Sequence, residues 1–143
     1  MKYTAISLII IFGLESIALA DTSSMAQYRF LVGNYECIGR WPDSKKTYTG
    51  RVEISELDDG VKMVRTINGK KVEAVGKYGT ATPDEIRVLR VTFIQDGVEY
   101  DETCMVSGDL DNYSRITCYV YTGNSKRVGL ETLFPDYGQL KRP

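Results

Sequence analysis

The sequence predicts an all-β protein: an antiparallel barrel of about eight strands in up-and-down order, preceded by a short helix. From Gly33 almost to the end of the chain, apolar and polar residues alternate with a period of two, as in strands with one buried face. Dipeptides that suit tight turns interrupt this alternation at short intervals. Because the connections are short, consecutive strands are expected to be antiparallel neighbours. Closing such a meander into a barrel removes its unpaired edges.

The elements follow from these signals in chain order. Asp21-Thr22-Ser23-Ser24 can cap a helix of one or two turns over Met25–Leu31. A looser connection is expected from Trp41 to Thr47. The strands are predicted at residues 34–40, 48–57, 61–67, 70–78, 85–95, 98–107, 113–121 and 126–134. The tight turns between them are predicted at Asp59-Gly60, Asn68-Gly69, Asp96-Gly97 and Gly123-Asn124-Ser125.

Residues 1–20 are expected to be a cleavable export signal. The chain begins with Met1-Lys2-Tyr3, continues with an apolar run over Thr4–Leu14, and reaches the small residues of Ala18-Leu19-Ala20. The alternative is an uncleaved anchor, but the apolar run is shorter than the ~20 residues that a spanning helix needs. The expected mature protein is therefore one soluble domain, residues 21–143, in the periplasm or outside the cell, with no stable membrane insertion.

Composition restricts the possible functions. The chain has 18 basic and 19 acidic side chains and a net charge of −1, which does not favour nucleic acid. It contains no histidine, so neither a Ser-His nor a Cys-His nucleophile can be assembled. Three cysteines without histidine also make a poor metal site. No enzyme activity, cofactor or metal is expected.

The predicted turns fix the register of the hairpins and test the fold. With Asp96-Gly97 in a two-residue turn, Phe93 faces Tyr100 and Leu89 faces Cys104. The next loop places Cys104 opposite Cys118, and a three-residue turn at Gly123 would place Cys118 opposite Leu130. One face of four strands then collects the apolar residues Leu89, Val91, Phe93, Val98, Tyr100, Cys104, Val106, Ile116, Cys118, Val120, Val128 and Leu130.

Two of the three cysteines are expected to form a disulfide. Opposed cysteines on antiparallel strands bring their β-carbons close enough to bridge, and an exported protein permits the bond. Cys104–Cys118 would close a loop of ~15 residues, worth about 3 kcal/mol. The alternative is three buried free thiols. Cys37 is left over, as a small buried hydrophobe, a partner for another cysteine, or the source of an intermolecular bond.

In outline, the chain from Met25 to Phe134 resembles the calycins, the superfamily of lipocalins, avidins and fatty-acid-binding proteins. Gly33-Asn34-Tyr35 is similar to the glycine-x-tryptophan opening of lipocalins, with tyrosine replacing tryptophan. The long first connection, Trp41 to Thr47, lies where lipocalins carry a lid. Small exported bacterial proteins share the Gly-x-Tyr-x-Cys opening and a second strand like Tyr48-Thr49-Gly50. The resemblance implies a lipocalin-like barrel and a ligand cavity, without naming a ligand.

Two charges interrupt the apolar face. Glu102 is expected among Val91 and Val120, and Arg65 opposite Ile54 and Val72. Because an unpaired charge in a core is too costly to persist, three explanations stay open. The two side chains pair with each other, they hold the polar head of a ligand, or the predicted register is wrong by one residue. In the ligand hypothesis the wall of the site also includes Tyr35, Tyr48, Tyr78, Tyr100 and, at the rim, Trp41.

Two functions are the main candidates at this point, and an enzyme that uses carboxylates is a third alternative. The first is a monomeric exported barrel that binds a small, mostly apolar molecule in its interior, with Arg65 or Glu102 meeting the polar group of the ligand. The second is a protein-binding module, such as a secreted inhibitor of a hydrolase, that acts through rim loops near Trp41, Pro42 and the Lys45-Lys46 pair. Asp109–Asn112 has some features of a calcium loop, but the pattern is incomplete, and a simple turn is expected there.

Overall fold

The computed structural model describes residues 26–81, 86–108, 114–136 and 138. They form a closed barrel of eight antiparallel strands in the order β1-β2-β3-β4-β5-β6-β7-β8, with β8 pairing back onto β1. The predicted all-β barrel is therefore confirmed. The strands are β1 Gly33–Arg40, β2 Thr47–Leu57, β3 Gly60–Ile67, β4 Lys70–Thr80, β5 Arg87–Gln95, β6 Val98–Gly108, β7 Ser114–Tyr121 and β8 Gly129–Pro135.

A short helix, α1, covers residues 26–29 and packs on the end of the barrel where β1 begins. Tyr28 and Leu31 are buried in the core, and the Tyr28 ring stacks on Tyr78 at a centroid distance of 5.1 Å. The Tyr35 hydroxyl donates a hydrogen bond of 2.8 Å to the carbonyl of Leu31. These contacts close that end of the barrel. We call the opposite end, where the 41–46 loop lies, the mouth end.

None of the helices in the described ranges is long and apolar enough to cross a membrane. The expected export signal and the Asp109–Asn112 turn both fall outside the described residues, and so does Met25 at the predicted start of the helix. The expectations about them stay predictions.

Two of the predicted turns have the expected geometry. The residues Asn68, Gly69, Asp96 and Gly97 all have positive φ, which suits two-residue hairpin loops with the twist of their strands. The register that follows from Asp96-Gly97 is confirmed, with Phe93 opposite Tyr100. Val98 belongs to the same predicted face but is exposed, because it lies at the mouth-end edge of the wall.

The predicted disulfide is present. Cys104 and Cys118 are direct partners on β6 and β7, with Cα atoms 4.0 Å apart, and their sulfur atoms are bonded. A disulfide persists in compartments that do not reduce it, so the protein belongs to a non-reducing environment. Cys37 is free and buried, which excludes the alternative of a bridge to another cysteine within the chain.

The turn between β2 and β3 differs from the prediction by one residue. Leu57 pairs with Gly60, so the turn residues are Asp58 and Asp59 rather than Asp59 and Gly60. Arg65 therefore lies opposite Val52 instead of Ile54. The shift of two positions keeps Arg65 on the inner face, because side chains alternate with a period of two.

The connection between β7 and β8 corrects a second prediction, with a larger consequence. Val120 pairs with Gly129 rather than Val128, so the register slips by one residue and the faces of β8 are exchanged. Val128 and Leu130 point to solvent, and Glu131 enters the core. The reason lies in the connection, which covers residues 122–128 and is longer than the three-residue turn expected from Gly123. Thr122 and Ser125 close a turn in its first part, and Asp43 binds the backbone of Lys126 and Arg127 in its second part.

Candidate functional site

The centre of the barrel holds a buried ion cluster. Arg65 on β3 donates from Nη1 to Glu102 Oε1 at 2.9 Å and from Nη2 to Glu131 Oε2 at 2.6 Å. The three side chains are at most 1% exposed. The pairing of Arg65 with Glu102, one of the three explanations kept open by the sequence, is therefore the observed one. The second carboxylate, Glu131, was missed because the predicted register of β8 turned it outward.

Tyr48 on β2 completes the cluster from across a strand. Its hydroxyl donates a 2.6 Å hydrogen bond to Glu131 on β8, although β1 lies between the two strands. The β1 residue between them is Gly39, which is the register partner of both. A β-carbon at position 39 would collide with the Tyr48 hydroxyl. The absence of a side chain at Gly39 is what lets Tyr48 reach Glu131.

Aromatic rings cover the cluster on the mouth-end side. The Trp41 ring stacks on Tyr48 at 4.5 Å and packs against Tyr100 at 5.1 Å. Phe93 stacks on Tyr100 at 5.0 Å, and the Arg65 guanidinium lies 4.4 Å from the centre of the Phe93 ring. This distance is typical of a cation–π contact. We call Trp41, Tyr48, Phe93 and Tyr100 the aromatic cap.

The predicted wall residues divide between the two ends. Tyr48, Tyr100 and Trp41 lie with Arg65 and Glu102 at the mouth end. Tyr35 and Tyr78 lie at the helix end, where they contact the segment around α1. The structure thus brings five of the seven predicted ligand-site residues together and separates two.

Burial governs the protonation of Glu102. Loss of hydration raises its pKa from an ordinary value of 4.5 to about 8, Arg65 acts in the opposite direction, and Glu131 adds to the increase. A raised pKa favours the protonated form of the Glu102 carboxyl at neutral pH.

Neighbouring groups respond to the same environment. Burial opposes the charged form of Arg65, but Glu102 and Glu131 outweigh it and raise the pKa of the guanidinium. Burial and the Glu131 charge both raise the pKa of the Tyr48 phenol. Burial raises the pKa of the Cys37 thiol to about 12, with Glu131 contributing. Cys37 is therefore a protonated, unreactive side chain that fills space, since the thiolate is the nucleophile.

Three polar atoms of the cluster lack a hydrogen-bond partner among the described residues: Arg65 Nε, Glu102 Oε2 and Glu131 Oε1. An unsatisfied buried polar group costs about 1–3 kcal/mol. The cluster therefore contains hydrogen-bonding atoms that the described side chains leave without a partner. The surrounding space is filled, however. Val52, Met63, Leu89, Val91 and Val120 have no exposed surface, which leaves no water-sized gap against them.

Potential metal ligands in the described residues also meet in this region. Glu102 approaches the sulfur atoms of Cys104 and Cys118 within 4.8 Å. The two sulfurs are bonded to each other, so neither can provide the thiolate that a metal requires.

A second feature of the mouth end is its rigid basic rim. Asp43, which has a positive φ, accepts hydrogen bonds from the backbone amides of Lys126 at 3.0 Å and Arg127 at 2.8 Å. Its own amide donates to the carbonyl of Arg127 at 3.2 Å. These bonds fasten the 41–46 loop to the β7–β8 connection. As a result four exposed cations lie along one edge of the mouth: Lys45, Lys46, Lys126 and Arg127.

No family model, no curated protein and no solved structure matches this chain.

Two features of the site could have been found from the sequence. Lys45-Lys46 was predicted on the rim. Glu131 lies in Glu131-Thr132-Leu133, so an inward Leu133 would have implied an inward Glu131. The contribution of Lys126-Arg127 depends on the contact with Asp43, which the alternating pattern does not reveal.

Replacing Gly39 by alanine should destabilise the barrel. We expect Gly39→Ala to lower the free energy of unfolding by about 1–3 kcal/mol, since the added methyl group displaces the Tyr48 ring from Glu131. Urea denaturation measures the change. Gly123→Ala is the matched control, because nothing lies within 4 Å of its β-carbon position. Equal stability of the two variants would show that Gly39 has no such role.

Glu102 should make the protein less stable as pH rises. Between its ordinary pKa of 4.5 and the folded value of about 8, the folded protein holds a proton that the unfolded chain has released. Stability conferred by this proton is complete below pH 4.5 and is lost as pH rises through about 8. Denaturation at a series of pH values should show this slope in the wild type and in Glu99→Gln, an exposed control on β6, but not in Glu102→Gln. A slope retained in Glu102→Gln would assign the effect to another group.

Proposed function

We propose that this protein is a binding protein, not an enzyme, and that it recognises an acidic surface of a partner protein through its mouth-end basic rim. The observation that carries this proposal is the attachment of two basic pairs to one rigid edge by Asp43. A secreted inhibitor that covers the acidic margin of a hydrolase cleft is one protein of this kind.

The rim has the properties of a preorganised binding surface. Asp43 holds the two loops through three hydrogen bonds. Pro42 packs so closely on Gly129 that a side chain there would collide with it. Little conformational entropy is then lost when a partner binds, which favours affinity. The filled interior beneath the rim supports a role for the surface rather than for a cavity.

The charge distribution indicates the kind of partner. Lys45, Lys46, Lys126 and Arg127 form no ion pair within 4 Å with the rest of the described chain, and the carboxylate of Asp43 is occupied by backbone amides. The rim is therefore positive on a chain whose net charge is −1. A local field of this kind attracts an acidic partner and increases its association rate.

Charge reversal on the rim tests the proposal. With the protein immobilised, proteins of the extracytoplasmic fraction that are retained by the wild type should be acidic. Their retention should be lost with Lys126→Glu/Arg127→Glu and should weaken as salt is raised. Arg51→Glu/Lys71→Glu makes the same change of charge on the outer wall of β2 and β4 and should leave retention unchanged. Equal loss in both variants, or no retained protein, would contradict rim recognition.

A second candidate function is binding of a small, mostly apolar molecule in the interior. The three buried polar atoms without partners on Arg65, Glu102 and Glu131 favour it, because the polar group of a ligand could satisfy them. In the observed conformation the aromatic cap covers this position, so Trp41 has to move before a ligand enters.

Removal of the Trp41 side chain from the aromatic cap distinguishes interior binding from rim recognition. If the interior binds ligands, a fluorescent fatty acid should bind Trp41→Ala faster than wild type, and native mass spectrometry should detect a bound molecule. Phe30→Ala removes an exposed aromatic side chain near the helix end and is the control. Failure of the fluorescent fatty acid to bind either Trp41→Ala or the wild type would count against interior binding and would leave the rim proposal intact.

The proposal has two further parts: the protein is related to the calycins, and it is exported from the cell. The up-and-down order of the eight strands, the short helix before β1 and the long first connection support a lipocalin-like origin. The disulfide supports a periplasmic or secreted location, reached after removal of residues 1–20.

A further inference from the structure

The exposed aromatic and methionine side chains of the strands all lie on one side of the outer wall. On β2 to β5 charged residues are mixed with polar ones and with the exposed aliphatic residues Leu57, Val75 and Ile94, and Lys62 forms an ion pair of 2.7 Å with Glu73 there. On β6, β7, β8 and β1 six large outward apolar or aromatic side chains are exposed among polar and charged ones. We call this side the apolar wall; its large side chains are Met105, Tyr119, Tyr121, Leu130, Phe134 and Ile38, which are 38–55% exposed.

The apolar wall has the composition of an interface core. Interfaces are enriched in methionine and aromatic residues and depleted of charge at their centre. Scattered exposed hydrophobic residues need no explanation, but here they occupy four adjacent strands. The middle of the wall is the row Met105, Thr117, Thr132 and Ile38, whose members are consecutive partners across the strands.

One negative and one positive side chain lie on opposite sides of this row, so a second copy turned by 180° could pair with both. On β1, Glu36 lies two residues before Ile38 and Arg40 lies two residues after it, and all three point outward. On β8, Phe134 is the partner of Glu36, and Leu130 is the partner of Arg40. A two-fold axis that runs along the central row would turn the wall onto itself. Glu36 would then lie opposite Arg40 of the partner subunit, and Phe134 opposite Leu130 of the partner subunit.

We propose that the apolar wall is the interface of a symmetric homodimer, in which strand β1 of each copy crosses its equivalent in antiparallel orientation. The occupant is a second copy of this chain, because Glu36 and Arg40 of each copy would both find an opposite charge, while Arg115 would lie opposite Tyr119 of the partner subunit. Such an interface is isologous, the commonest kind in soluble oligomers. The proposal replaces the expectation of a monomer, and it is independent of the rim, which lies at the end of the barrel.

A charge-swap experiment tests the dimer. Sedimentation velocity of the wild type over a series of concentrations should show a monomer converting to a species of twice the mass. Glu36→Lys places like charges opposite each other twice, and Arg40→Glu does the same with opposite sign. Each should weaken dimerisation at least about tenfold. The double variant Glu36→Lys/Arg40→Glu restores the complementary pattern and should recover the dimer.

The control is Glu73→Lys, which replaces an exposed carboxylate on β4, outside the apolar wall. This variant should dimerise as the wild type does. Circular dichroism and thiol titration verify that each variant keeps its fold and its disulfide. A wild type that is monomeric at every concentration overturns the proposal. So does a dimer that neither single variant weakens, or a double variant that fails to recover. A monomer that instead binds lipid vesicles would assign the wall to a membrane surface.

Discussion

The interior of this barrel is organised by the charge of Arg65. A guanidinium without a counter-charge would be prohibitively costly in the core, and here two carboxyl groups and one tyrosine are arranged around it. Glu102 comes from β6, Glu131 from β8 and Tyr48 from β2, so the cluster connects strands on several sides of the barrel. A slip of any of these strands would separate a charged group from its partner, so the ion cluster adds to the turns and the buried face in fixing the register.

The cluster depends on a proton as well as on geometry. Burial, with a smaller contribution from Glu131, raises the pKa of Glu102 against the opposing effect of Arg65, so the neutral form of this carboxyl is favoured. The aromatic cap contributes by excluding water from the guanidinium, since the Phe93 ring lies against it. The polar centre and the aromatic mouth are therefore one unit, and a change in either one is expected to affect the other.

Much of the fold could be predicted because its determinants are local. Alternation and turn dipeptides fixed most strands, and the turn at Asp96-Gly97 fixed the register that brings Cys104 opposite Cys118. The prediction of β8 failed because its register depends on the Thr122–Ser125 bonds and on Asp43, which is distant in sequence. The same slip concealed Glu131. The pairing of Arg65 with Glu102 could be proposed as one explanation among three. Glu131 could not, because its inward position depends on the register of β8.

Closure of the barrel also has a kinetic aspect. Seven of the eight strand pairs join consecutive strands, but β1 and β8 come from opposite ends of the described chain. The disulfide lies between β6 and β7 and brings these two distant strands no closer. Loop-closure entropy makes such a long-range pairing slow to form. The bonds from Tyr48 to Glu131 and from Asp43 to Arg127 both cross this junction. We therefore expect the docking of β8 on β1 to be a late step of folding. Gly39 matters at this junction, because only a residue without a side chain lets Tyr48 reach across β1 to Glu131.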